Sequence, residues 1–152
     1  MRLEFKKRIF YYFSIFIFLF LQYGFFNINK LGFIADDWDY VKHVTEGINP
    51  SLLNLIKFQS SHLSHPGFAL SRPLGLITNA LHVWISGVNV TSHHFWKFFL
   101  LVIANILLFE FLKTLLKSNK LALAAVLIYI SLPYHTSTYY WVSTRVSVYA
   151  MI

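Results

Sequence analysis

Apolar residues in this chain gather in long runs separated by polar bands. Residues 1–8 hold four cations and one acid, and residues 9–26 follow as an uncharged run dominated by Ile, Phe, Leu and Tyr. As a helix, those 18 residues reach about 27 Å, close to the thickness of a bilayer's hydrocarbon core. A cationic start followed by a hydrophobic run also opens a secretory signal, but Gln22-Tyr23-Gly24-Phe25-Phe26 has no small-residue cleavage pattern. The run is therefore read as an uncleaved first span, with residues 1–8 in the cytoplasm.

Residues 27–94 form a mixed region on the far side. Asn49-Pro50-Ser51 marks a helix start, and residues 52–58 follow as a short amphipathic turn or two. Residues 60–67 are loop-like by their Ser, Pro and Gly content. Arg72-Pro73-Leu74 opens residues 74–88, where Asn79 and His82 interrupt an apolar pattern and favour an interfacial helix over a span. Residues 95–116 read as the second span, with Trp96 and Lys97 at its outer boundary and Lys113 and Lys117 at its inner one. Glu110 and Lys113, three apart, share a helix face and can pair, while Asn105 offers a hydrogen bond to a neighbouring helix. A basic turn at 117–120 leads to a third, short span at 121–134 and an external segment at 135–145. Residues 146–152 read as the start of a fourth span, so the expectation is a chain that is cut off.

Composition agrees with that pattern. Hydrophobic residues make up 57% of the 152 and charged residues only 12%, too little charge to cover a soluble domain. The expected class is an all-α integral membrane protein with about three transmembrane helices and a long extracytoplasmic first loop. A formal charge of +7 would suggest nucleic acid in a soluble protein. Here the cations flank hydrophobic runs, which fits topology and anionic lipid headgroups, and no nucleic-acid partner is expected. With no cysteine, disulfides, thiolate-bound zinc and thiol catalysis are excluded.

Three of the six acids, Asp36, Asp37 and Asp39, fall within four positions shortly after the first span. Each would cost roughly 2.5–3.5 kcal/mol at the centre of a membrane helix, so the cluster belongs in water or a polar cavity at the membrane edge. Adjacent carboxylates there can supply a general base or hold a divalent cation through oxygen. The same residues also fit a solvated helix start running through residues 38–44. Arg72 suits a phosphate, since its guanidinium pairs two oxygens, and equally suits an anchor to lipid headgroups. Arg145, between Trp141 and an apolar tail, either snorkels or faces a polar cavity. His62 with His65, and His93 with His94, have spacings seen in metal sites and in ordinary interfacial histidines alike. Asn89-Val90-Thr91 matches an N-glycosylation acceptor, a pattern frequent by chance.

Taken together, these pieces resemble the N-terminal part of the GT-C fold membrane glycosyltransferases, a superfamily that includes protein O-mannosyltransferases and lipid A aminoarabinose transferase. The likeness rests on three motifs in order: Asp36-Asp37 after the first span, then Arg72-Pro73-Leu74, then Pro133-Tyr134-His135 leading to Trp141-Val142-Ser143-Thr144-Arg145. It implies sugar transfer from a polyprenyl-phosphate donor to an acceptor outside the cytoplasm, with inversion. It further implies Asp36 or Asp37 as the base, Asp36 preferred, with Asp37 orienting the site or helping to hold a metal. Arg72 and Arg145 would stabilise the departing phosphate, with His135 assisting. Members of the superfamily have many more spans, so the remaining helices would come from the same protein or a partner chain, and this polypeptide alone is expected to be inactive. The expected location is a bacterial cytoplasmic membrane, in preference to that of the endoplasmic reticulum, with the active face outward. The rival reading is a small membrane subunit or transporter piece whose acidic cluster binds cations.

Overall fold

The computed structural model describes residues 2–23, 41, 51–62 and 73–132. Among these the protein is helical throughout, with no strand. Its elements run α1 (Arg2–Gln22), α2 (Leu52–His62), α3 (Pro73–Ser86), α4 (Val90–Leu116) and α5 (Asn119–Ser131).

The centre of the fold is α4, whose 27 residues extend about 40 Å. It ends where the sequence pattern ends it, at Leu116, but begins five residues before the expected position 95. The reason is a cap: Asn89 adopts extended backbone and its Oδ1 accepts from the Ser92 amide at 3.1 Å. The asparagine of the glycosylation-like pattern is thus engaged by the helix itself. At the other end Lys117 takes a left-handed conformation (φ 51°), and Ser118 caps α5 through the Leu121 amide at 3.4 Å. This two-residue reversal folds α5 back along α4. The basic turn expected at 117–120 is therefore shorter, with Asn119 and Lys120 already in α5.

Against this hairpin α1 lies antiparallel to α4. Tyr23 meets His94, Phe16 and Phe20 pack edge-on to Phe98, and Tyr11 and Tyr12 reach Phe109. The shared core holds Ile15, Leu19, Phe98, Leu101, Ala104, Phe109, Ala122, Val126 and Ile130, with the two alanines allowing close approach of α4 and α5. A second cluster of Val41, Leu55, Ala80 and Val83 ties α2 to α3. Two expectations shift here. The helix expected over 52–58 continues through Ser60, Ser61 and His62, because serine and histidine are tolerated in a helix once packing fixes one. The helix expected over 74–88 is a 14-residue element, and Asn79 and His82 are buried in it.

Among the described residues α4 alone is long and apolar enough to cross a membrane. Of its most apolar window only 28% is buried, whereas an apolar helix at the heart of a soluble domain is covered all round. Phe95, Phe99, Ile103, Leu107, Phe111 and Leu115, each four residues from the next, stand exposed along it. That ridge measures about 30 Å, the thickness of a hydrocarbon core. The 13 residues of α5 reach about 20 Å. In α1 the basic Lys6, Lys7 and Arg8 lie inside the helix, leaving about 21 Å of uncharged length to Gln22. The expected continuation to Phe26 falls outside the described residues. Among the described residues one helix, α4, thus qualifies as a candidate span by length and composition, and a count of three is not reached.

The expected Glu110–Lys113 pair is present at 2.9 Å. It carries a third member that the local pattern does not announce, since the Tyr12 hydroxyl donates to Glu110 Oε1 at 2.6 Å and joins α1 to α4. Asn105 behaves differently from expectation. Its Nδ2 donates to the Leu101 carbonyl of its own helix at 2.8 Å instead of reaching a neighbour. Replacing Tyr12 with phenylalanine removes the bond to a charged acceptor, and is expected to weaken the α1–α4 contact by about 1–2 kcal/mol. Reversible unfolding in detergent, compared with Tyr11→Phe, measures it. Equal stability of the two variants would show that the bond contributes nothing net.

Candidate functional site

Polar side chains collect at one end of the bundle, around the first two turns of α4. A cap at Asn89 starts the helix early enough to make His93, His94 and Lys97 helical, and the 3.6-residue period then sorts them. His94 and Lys97 fall on the inward row that continues through Leu101 and Asn105, while Phe95 and Trp96 point outward. Lys97, expected at an outer boundary, is fully buried. Burying an ammonium costs several kcal/mol unless acceptors or an anion compensate it, so this face of α4 is a polar environment within an apolar helix.

The histidines take separate partners. His94 Nδ1 shares a hydrogen bond with the Tyr23 hydroxyl at 3.1 Å, at the end of α1. The Nε2–H of His93 donates to the Gly87 carbonyl at 2.9 Å, in the α3–α4 connection. Neighbouring helical residues point about 100° apart, which suits two structural contacts better than one shared metal. Among the described residues no group of three or more His, Cys, Asp or Glu side chains could hold a metal ion. His62 closes α2, and its expected partner His65 lies outside the described residues.

Helix α3 completes the polar end. His82 stacks on Trp96 with ring centroids 5.8 Å apart and planes 20° from parallel. Ser86 and Ser92 share a hydrogen bond of 2.8 Å between hydroxyls. Asn79 and Asn105 are buried, and their Oδ1 atoms accept no hydrogen bond from the described residues. Such acceptors are rare in a packed interior. The two acids among the described residues, Glu4 and Glu110, belong to the opposite end, Glu110 lying about 20 Å along α4 from Lys97. The polar end thus combines imidazoles, an ammonium, amides and hydroxyls. It is suited to hold an anionic group, and Tyr23 with His94 supplies a hydroxyl–imidazole pair.

The residues expected to carry chemistry are not among these. Asp36, Asp37, Arg72, His135 and Arg145 lie outside the described residues. What the structure adds is Tyr23, His94 and Lys97, which local patterning does not single out as a set. The signal that could have found two of the three is the three-residue spacing of His94 and Lys97, which puts them on one helix face. Tyr23 lies 71 positions from His94, beyond the reach of any local pattern.

Comparisons of the chain with protein-family models, with curated proteins and with solved structures return no match.

Proposed function

We propose that this chain is a membrane glycosyltransferase, or the N-terminal part of one, of GT-C type. It transfers a sugar from a polyprenyl-phosphate donor to an acceptor hydroxyl outside the cytoplasm. In this reading α1, α4 and α5 are the first three spans of a bacterial cytoplasmic membrane protein. The basic end, with Lys6, Lys7, Arg8, Lys117 and Lys120, faces the cytoplasm.

The observation that carries the reading is the register of its three motifs with the helices. Asp36-Asp37 follows α1, Arg72 immediately precedes Pro73 at the start of α3, and Pro133-Tyr134-His135 follows directly after α5 ends at Ser131. In sequence the motifs thus fall outside the described helices, an order that suits polar groups meeting water and a lipid headgroup together. The polar end of α4, where α1 also ends, adds an environment in which a phosphate could be held.

Chemically, the Asp36 carboxylate takes the proton of the acceptor hydroxyl as its oxygen bonds to the anomeric carbon. The bond from that carbon to the phosphate oxygen breaks on the opposite face, and its electron pair leaves with the polyprenyl phosphate. Arg72 and Arg145 stabilise the negative charge that grows on the leaving group. Asp37 orients the acceptor or contributes to a divalent cation where one is used, and His135 assists at the phosphate.

Membranes carrying the protein in its native setting, supplied with a labelled polyprenyl-phosphate sugar, test this. Label should move to an acceptor with the wild type, and Arg72→Ala should slow it about a hundredfold. Full transfer in an Arg72→Ala, Arg145→Ala double variant would remove both arginines from the reaction.

A further inference from the structure

The opposite, basic end of the bundle carries a feature that sugar transfer does not use. A groove of about 260 Å³ is lined by Lys6, Lys7, Phe10 and Tyr11. Two parallel rows build it, since Lys6 stands one turn before Phe10 and Lys7 one turn before Tyr11. The first row does not stop there. Phe10, Phe13, Ile17 and Leu21 follow at spacings of three or four, all exposed, so a single stripe runs from an ammonium down an apolar ridge. From Phe10 to Leu21 the ridge is about 16 Å long, the depth of one leaflet of hydrocarbon.

The ridge on α4 is built differently. It runs about 30 Å from Phe95 to Leu115, long enough for both leaflets, and before Phe95 the same spacing reaches the uncharged Thr91. That ridge fits bulk lipid of any kind. The stripe on α1 matches one molecule: a phosphate at the top and an acyl chain below. Charge selects the headgroup further. Lys6, Lys7 and Arg8 are exposed, and the antiparallel packing of α1 on α4 brings Lys113, Lys117 and Lys120 to the same end, where Glu110 pairs with Lys113.

We propose that the N-terminal half of α1 is a binding site for one anionic phospholipid of the leaflet on the basic side. Lys6 and Lys7 hold its phosphate, and one acyl chain lies along Phe10, Phe13, Ile17 and Leu21. The site needs the chain to lie in a bilayer and does not depend on glycosyl transfer.

Native mass spectrometry of the full chain, purified in detergent and given equal amounts of dioleoyl phosphatidylglycerol and dioleoyl phosphatidylcholine, tests it. The anionic lipid should be retained as a one-to-one adduct about tenfold or more over the zwitterionic one. K6Q/K7Q should erase that preference, while K117Q/K120Q should keep it. Equal retention of the two lipids by the wild type overturns the proposal. So does a preference that survives K6Q/K7Q, or one that K117Q/K120Q erases equally, since the basic collar would then act as a whole. Dioleoyl should also outlast dihexanoyl phosphatidylglycerol on the wild type, a comparison that requires no variant to fold. If chain length makes no difference, or if glycerol phosphate displaces the lipid, the groove reads a phosphate and not a phospholipid.

Discussion

Asp36→Asn is expected to slow sugar transfer by about 10²–10⁴-fold, the contribution of a positioned general base. Expressed as a barrier, that is about 3–5.5 kcal/mol. The substitution keeps the size of the side chain and removes its charge and its proton-accepting oxygen, so donor binding should persist. The cation-binding alternative separates cleanly from this outcome, because it predicts altered ion retention with no sugar chemistry at any stage. The measurement is initial transfer rate together with donor retention in native membranes. A variant that transfers at the wild-type rate would sink Asp36 as the base, and a parallel Asp37→Asn variant would then show whether its neighbour holds the role.

The second large effect concerns the ridge of α4. Ile103 sits near its middle and is 47% exposed. If that face met water, Ile103→Lys would change stability by no more than about 0.5 kcal/mol, as surface substitutions do. Facing hydrocarbon, the same change should cost about 2.5–3.5 kcal/mol, or about a hundredfold in the ratio of inserted to non-inserted α4. Leu115→Lys, on the same ridge but at its end, should cost far less because its ammonium can snorkel to the interface. An insertion assay on the whole chain reads both. A flat profile from Ile103 to Leu115 would mean that lipid does not cover this face, and the membrane assignment of α4 would fall with it.

The parts of this fold that were legible in the sequence are those set by local physics. The apolar run of residues 95–116 gave a helix ending at Leu116, and the three-residue spacing of Glu110 and Lys113 gave their pair. Trp96 and Lys97 look like a single boundary in sequence, but the helix already includes both, exposing Trp96 and burying Lys97 about 100° round from it. Ser60 to His62 are loop-like by composition, a weak prior that gives way where α2 continues through them. Tyr12 with Glu110, and Tyr23 with His94, lie 98 and 71 positions apart. Nothing in a local window encodes such pairs, because they depend on how α1 comes to rest on α4. The expected catalytic residues rest on the order of their motifs alone, and they lie outside the described part of the chain.

The Tyr12–Glu110–Lys113 contact also bears on the order in which the protein is made. Glu110 and Lys113 neutralise each other within a single turn, so α4 can leave the ribosome with its carboxylate already matched. Tyr12 emerges 98 residues earlier, which at about 5–20 residues per second is roughly 5–20 seconds before its acceptor exists. A phenol can wait at the membrane interface for that time at little cost, where a lone carboxylate in lipid could not. The side chain that waits is the neutral one, and the charged one arrives already paired. The contact between α1 and α4 can therefore close only once α4 is complete, with no unmatched charge left waiting for it.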